Sequence, residues 1–189
     1  LSVYNGTYQI WLRTPAEVVM EGVRCDGSAP ATTMFFDGFS NLNNWTAVSV
    51  SGAQVWNTAN FGNPAPCAVM NGFSGGNQAN EDWLVSKEFT LSGFNNYNVN
   101  FETDGRYNGD PLKVYVTDNY TGNVTTTTWT ELPATLDTVL TSFGQWTGSG
   151  NINLNAYKGK NVRIAFKYVS TTAGATTWEV DNFKLKGSN

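Results

Sequence analysis

Along NYNVNFET, residues 96–103, apolar and polar side chains take turns: Val99, Phe101 and Thr103 fall on one face, Asn98, Asn100 and Glu102 on the other. LKVYVTD (112–118) repeats the pattern, setting Leu112, Val114 and Val116 against Lys113, Tyr115 and Thr117. VRIAFKYV (162–169) sets Val162, Ile164, Phe166 and Tyr168 against Arg163, Ala165 and Lys167. A period of two is that of a strand with one buried face. Shorter strands are predicted in MFFDGF (34–39), AVMNGF (68–73), WLVSKEFTL (83–91) and TWEVDNFKLK (177–186), each bounded by turn-forming residues. A helical turn is expected near 135–142 and a short strand at 151–154. No stretch carries the period of a long amphipathic helix, and no segment repeats. Short strands between turns predict an all-β chain, and the economical packing is a two-sheet jelly-roll β-sandwich of about eight or nine strands.

The first residues follow another rhythm. Tyr8–Leu12 reads as a strand, Pro15 as a turn, and Ala16–Met20 as a short helix or a second strand. So short a piece cannot bury an apolar face by itself. Residues 1–24 are therefore expected to lean on a domain missing here or on the one that follows, in a chain cut from a longer polypeptide that begins here at Leu1. Residues 25–32, rich in Asp, Gly, Ser, Pro and Thr, read as a linker, and residues 33–189 as the jelly-roll module.

Composition narrows the function. Charged residues are only 14% of the 189, which suits a polar, turn-rich extracellular surface better than a helical cytosolic enzyme. A net charge of −4 argues against nucleic acid as the partner. No 18-residue apolar run is present, so no membrane-spanning helix is expected. The two cysteines, Cys25 and Cys67, are too few for a disulfide scaffold, and sequence leaves open whether they pair. There is no histidine, which removes Ser-His-Asp and Cys-His catalysis in their usual forms. Metal chemistry is then confined to oxygen ligands, the chemistry of calcium.

Asp181 interrupts an otherwise apolar terminal strand, and a buried carboxylate without a partner is costly. Either the strand bends it into water or a cation meets it. First and last strands of a jelly roll lie near each other, which would bring Asp37 to Asp181 and make a calcium site of the pair. Asn80 and Asp82, in the NED run of a Gly-rich loop, could join that shell, form a second site, or cap the strand start. Seven Trp and eight Tyr exceed what a core of this size requires, so some rings are expected at the surface, where they stack on sugars. Trp56, in a loop-like stretch, and Trp146 are the first candidates for exposure, and Trp45 also sits beside amides. Trp83 and Trp178 are read as core. The polar strand faces bearing Asn98, Asn100, Glu102, Lys113, Tyr115, Arg163 and Lys167 form either a glycan platform or a merely solvated surface.

Five blocks, FFDGFSNLNNW, NEDWLVSKEFTLSG, LKVYVTDNYTG, INLNAYKGKNVRIAFKY and TTWEVDNFKLKG, resemble in order and spacing the choice-of-anchor J family of secreted and surface proteins of Bacteroidetes. That family is similar to the cleaved adhesin domains of gingipain-type proteases and to MAM-like and galactose-binding jelly rolls. The resemblance spans about residues 33–187, and GTYQIWLRTPAEVVM looks like the closing strand of a domain that commonly precedes such modules, which would make residues 1–24 the tail of that preceding domain. It implies a secreted or cell-surface binding module without catalysis, with a structural calcium held by Asp37 of the opening strand and Asp181 of the closing one. The partner it implies is a polysaccharide or other glycan. A module that adheres to host protein, or a structural spacer, is the alternative.

Overall fold

A computed structural model describes residues 2–4, 7–9 and 30–189. The chain divides into two compact units, residues 1–30 and 31–189. In the first, β1 (Ser2–Tyr4) and β2 (Thr7–Gln9) pair antiparallel. The expected Ala16–Met20 element, most of the 25–32 linker and Cys25 lie outside the described residues.

The second unit is all β apart from one 3-10 turn at Asn155–Tyr157. One sheet has the order β11 (Thr130–Glu131), β10 (Lys113–Thr117), β14 (Asn161–Ser170), β7 (Asn80–Ser86), β4 (Trp45–Ser51), with β8 (Phe89–Thr90) also on β14. The other has the order β12 (Thr147–Gly148), β9 (Asn96–Arg106), β15 (Thr177–Ser188), β6 (Cys67–Met70), β5 (Asn57–Ala59). In it β13 (Ile152–Asn153) joins β9, and β3 (Thr32–Asp37) joins β15. Every pairing is antiparallel. The result is the two-sheet jelly-roll sandwich that the alternation predicts.

The core lies where the period of two puts it. Val99, Phe101, Val114, Val116, Ile164, Phe166 and Tyr168 are all buried between the sheets. Each fully buried side chain of this kind contributes roughly 1.5–3 kcal/mol. Phe166 is the hub, with the rings of Phe101, Trp45, Trp56 and Phe183 at 5.0, 5.6, 6.4 and 6.4 Å. Residues 135–142 form no helix; a turn falls at 140–141.

The closing strand changes phase once. Trp178 and Val180 point into the core, and so do Phe183 and Leu185, although their spacing breaks the alternation. The extra residue is absorbed by a bulge between Asp181 and Lys184, with Asn182 at φ +53°, a conformation that asparagine tolerates. At this bulge the neighbour of β15 changes from β6 to β3, and Phe183 pairs with Asp37. The bulge therefore sets the two ends of the module side by side.

Candidate functional site

Five large aromatic side chains among the described residues are exposed: Phe36, Phe61, Phe73, Tyr107 and Phe143. Four of them line one surface, made of two adjoining pockets. The first, about 410 Å³, is lined by Phe73, Tyr107 and three asparagines, Asn71, Asn77 and Asn108, with Ala173 and Ala175. The second, about 260 Å³, is lined by Phe61, Phe143 and Trp146 with two carboxylates, Asp104 and Glu179. Tyr107 and Phe143 join them, ring edge to ring face with centroids 6.3 Å apart, and the Arg106 guanidinium covers both at 4.8 and 5.4 Å.

Each ring is held out by its loop. The segment after β6 turns back through the Gln78 N–H donating to the Gly72 carbonyl (2.8 Å) and the Phe73 N–H donating to Asn71 Oδ1 (2.9 Å). Its base is fixed from the core, where the buried Tyr168 hydroxyl accepts the Gly72 N–H at 2.9 Å. Phe73, 58% exposed, pairs with Asn77 across the bend at 74–76. Tyr107, 52% exposed, follows β9 at φ +73°, a left-handed backbone that costs a non-glycine residue about 1–2 kcal/mol. Its N–H donates to the Leu140 carbonyl at 2.9 Å. The 134–146 segment that carries Phe143 is pinned to β9 by buried Asp137, whose Oδ2 accepts the Gly105 N–H (2.9 Å) and whose own N–H donates to Thr103 Oγ1 (3.0 Å).

Glu179 and Asp104 face each other across β15 and β9. Asp104 is fixed by the backbone N–H groups of Gly144 and Gln145. Burial, and after it the charge of Asp104, pushes Glu179 up to about 7. Near neutrality its carboxyl can thus donate as well as accept a hydrogen bond.

Asp37 and Asp181 lie on paired strands, Asp37 opposite Phe183 and so two residues from Asp181 along β15. Asp181 is fully buried, with Oδ1 and Oδ2 accepting the N–H groups of Asn182 (2.6 Å) and Asn63 (2.8 Å). Gly62 presses on it so closely that a Cβ there would stand 3.0 Å from Asp181 Oδ2. Asp37 accepts from the Phe39 N–H (2.8 Å), Asn44 Nδ2 (3.1 Å) and Trp45 Nε1 (3.0 Å). Glu102 closes the group, accepting from the amides of Asn63 and Asn182, both at 3.0 Å. Burial pushes the Asp181 pKa up, the two N–H donors oppose it, and the charges of Glu102 and Asp37 add to the rise. Among the described residues no set of three or more Asp, Glu, His or Cys gathers as a metal cluster. The donors are nevertheless all oxygen, and Asp181 has lone pairs left over, which fits a hard cation with carbonyls completing its shell. Asn80 and Asp82 do not join this group, since they lie on β7 in the opposite sheet.

The tryptophans turn out differently from the expectation of exposure. Trp45 and Trp56 are buried, 6% and 2% exposed, because their rings pack around Phe166. Neither can stack on a ligand. Trp146 is half-buried in the second pocket. Tyr115 and Arg163 lie on the outer face of the β14 sheet: Tyr115 packs on Trp83 at 5.3 Å, and Arg163 covers Tyr120 at 5.2 Å while donating to the Ser86 carbonyl. Asn98, Asn100 and Glu102 belong to β9 in the other sheet, so the seven polar residues do not form one platform. Phe61, Phe73, Tyr107 and Phe143 lie outside the sequence-based candidates. Their signal is an aromatic beside Gly or Asn in a turn, as in NGF, GRYNG, NFGN and SFGQ.

A family model described as Domain of unknown function (DUF5017) matches residues 62–189. Of the solved structures, one cleaved adhesin domain of Lys-gingipain from Porphyromonas gingivalis aligns with TM-score 0.62 at 17% identity, covering 82% of this chain and 98% of that one. Another from the same protein aligns with TM-score 0.61 at 15% identity, covering 83% and 99%. The family 11 carbohydrate-binding module from Clostridium thermocellum, solved with a β-1,3-1,4-mixed-linked tetrasaccharide, aligns with TM-score 0.53 at 14% identity, covering 84% and 96%. At these identities the likeness is one of fold. No curated protein matches the chain.

Proposed function

The chain belongs to the family described as Domain of unknown function (DUF5017), and from its fold and its exposed rings we propose a non-catalytic carbohydrate-binding module of a secreted or cell-surface bacterial protein. The observation that carries this reading is the ring-lined surface that runs from Phe73 through Tyr107 and Phe143 to Phe61. Ring faces cover the C–H face of a pyranose, and nearby amides and carboxylates bond its hydroxyls. Asn71, Asn77 and Asn108 supply the amides in one pocket; Asp104 and Glu179 supply the carboxyls in the other. Two adjoining pockets suit consecutive residues of a polysaccharide rather than a single sugar. Single-site affinity of such a surface is weak, and presentation of several modules together raises it. Fold likeness to a solved carbohydrate-binding module supports the reading.

The proposal extends to kinship with choice-of-anchor J modules and to a structural calcium ion. Asp181 and Asp37 would hold it, beside Glu102 and the Asn63 carbonyl, and its charge would neutralise the carboxylates that meet at the β15 bulge. Asp104 and Glu179 serve as hydroxyl partners in this reading and not as a hydrolytic pair.

A glycan array probed with the purified chain and with a Phe73→Ala/Tyr107→Ala variant tests the proposal. Binding to a polysaccharide class that the variant loses is expected. Binding that survives the double substitution, or hydrolysis of an arrayed glycan, would overturn it. A second reading, adhesion to host protein, rests on the likeness to gingipain adhesin domains. Capture of a protein ligand through the same rings with no glycan bound would favour it. Chelation tests the ion separately: EDTA should lower the melting temperature of the wild type by more than that of Asp181→Asn.

A further inference from the structure

Asp82 stands alone in this molecule. It is 1% exposed, and neither carboxylate oxygen has a hydrogen-bond partner. Two places along β7, Asn80 is 2% exposed, and its side-chain oxygen is unpartnered as well. Strand alternation sends both side chains to the inner face, as it does Leu84. The Asn80 amide nitrogen is already committed, donating to the Gln78 carbonyl (3.1 Å) and Ser170 Oγ (3.2 Å), so its oxygen cannot be exchanged for a donor. Opposite Asp82 on β4 sits Ser49, whose hydroxyl lies near enough to temper the effect of burial on Asp82. That hydroxyl has a single proton, shared between the carbonyls of Ser51 (3.3 Å) and Gly52 (3.5 Å), and no hydrogen bond is formed to either Asp82 oxygen.

The connection from β4 to β5 brings further oxygen. Gly52, at φ +93°, passes so close to Asn80 that a Cβ there would collide with its side-chain oxygen and lie 2.9 Å from the Ala79 carbonyl. In the same connection Gln54 has a buried, unpartnered side-chain oxygen. Trp56, two residues on, donates its indole N–H to the Asp82 carbonyl at 3.4 Å. Among the described residues no lysine or arginine bonds Asp82.

Buried acceptor oxygens left over after the neighbouring donors are committed describe a hole for a positive charge. We propose that Asp82 and Asn80, with Gln54 and backbone carbonyls of the 49–54 segment, form a calcium site under the β4–β5 connection. It is separate from the Asp37–Asp181 group and lies in the opposite sheet. A hard cation suits this donor set, because calcium takes six to eight oxygens from carboxylates, amides and carbonyls alike. With one carboxylate the site should be of the weak extracellular kind, with Kd on the order of 10⁻⁴–10⁻³ M. The ion would tie the β4–β5 connection to β7.

The full chain titrated with Ca²⁺ by calorimetry, and with Tb³⁺ while tryptophan is excited, tests this. Two ions per chain are expected in the wild type, one in Asp82→Asn, and the Asp82 ion alone in Asp181→Asn. Trp56 adjoins the site, so Trp56→Phe should remove part of the sensitised Tb³⁺ emission and still bind two ions. An unchanged count in Asp82→Asn overturns the proposal, and so does emission that ignores Trp56→Phe. A wild type with one ion, lost in Asp181→Asn, overturns it while sparing the other site. A wild type with one ion, lost in Asp82→Asn, upholds it and removes the other. If Asp82→Asn does not fold, the Trp56→Phe emission decides alone.

Discussion

Two groups of aromatic rings lie on the outside of this sandwich, and only one of them is open. On the outer face of the β14 sheet, Trp83 stacks on Trp129 at 5.3 Å, with Tyr115 and Tyr120 packed around them. The polar ends of Trp83, Tyr115 and Trp129 are answered. Trp83 Nε1 donates to Glu81, Glu81 pairs with Lys167 at 3.0 Å, Tyr115 donates to Glu131, and Trp129 Nε1 donates to the Val124 carbonyl. That face forms a second small core with Val85, Val124 and Ala165. At the loop surface, Phe73, Tyr107 and Phe143 project from turns with half or nearly half of their area in water. Ring number therefore does not locate a binding surface. What matters is whether the neighbours have already used the ring.

Substitutions can break that contrast. Trp83→Ala should destabilise by about 3–5 kcal/mol, the usual loss for a buried large aromatic, and leave glycan binding intact below the melting temperature. Denaturant unfolding measures it; a loss under 1 kcal/mol would mean that the cluster is not a core. Cys67, buried, with no disulfide among the described residues and with its thiol pushed up to about 12, reports whether the other sheet is sealed too. Raised from 9.0, it should label with iodoacetamide at pH 8 roughly a thousandfold more slowly than a free thiol, measured in a Cys25→Ser background. Rapid labelling in the native state would show the cover open. Tyr107→Ala should lose about tenfold in glycan affinity, ~1.4 kcal/mol, and keep its melting temperature within a degree or two. The smallest change is expected from Lys167→Met, under about 1 kcal/mol, because half-exposed ion pairs contribute little. Its effect should shrink further at high salt.

The alternation in 96–103, 112–118 and 162–169 was sufficient to assign the inward residues, because a sandwich strand has one dry face and its side chains obey it. That β3 and β15, the strands of Asp37 and Asp181, lie side by side was legible from the topology of a jelly roll. The bulge that makes it possible is written in WEVDNFKL, where one residue too many separates Val180 from Phe183. The rings were not legible in the same way. Trp56 sits in a polar, turn-rich stretch yet reaches inward to Phe166, since a long side chain at a sandwich end can fill the space between the sheets from a loop. Phe73 and Tyr107 look like ordinary loop aromatics until the loops from β6, β9 and β14 are seen to meet at one end. That convergence is a property of three distant segments, and no local pattern records it.

Ligand is expected to bind at the loop surface and not on the outer face of the β14 sheet. Backbone-amide NMR of the labelled chain, titrated with soluble oligosaccharides of the class found on the array, addresses it residue by residue. Shifts confined to 61–62, 71–77, 104–109, 143–146, 173–175 and 179 are the predicted result. Shifts centred on Trp83, Tyr115 and Trp129 would contradict it.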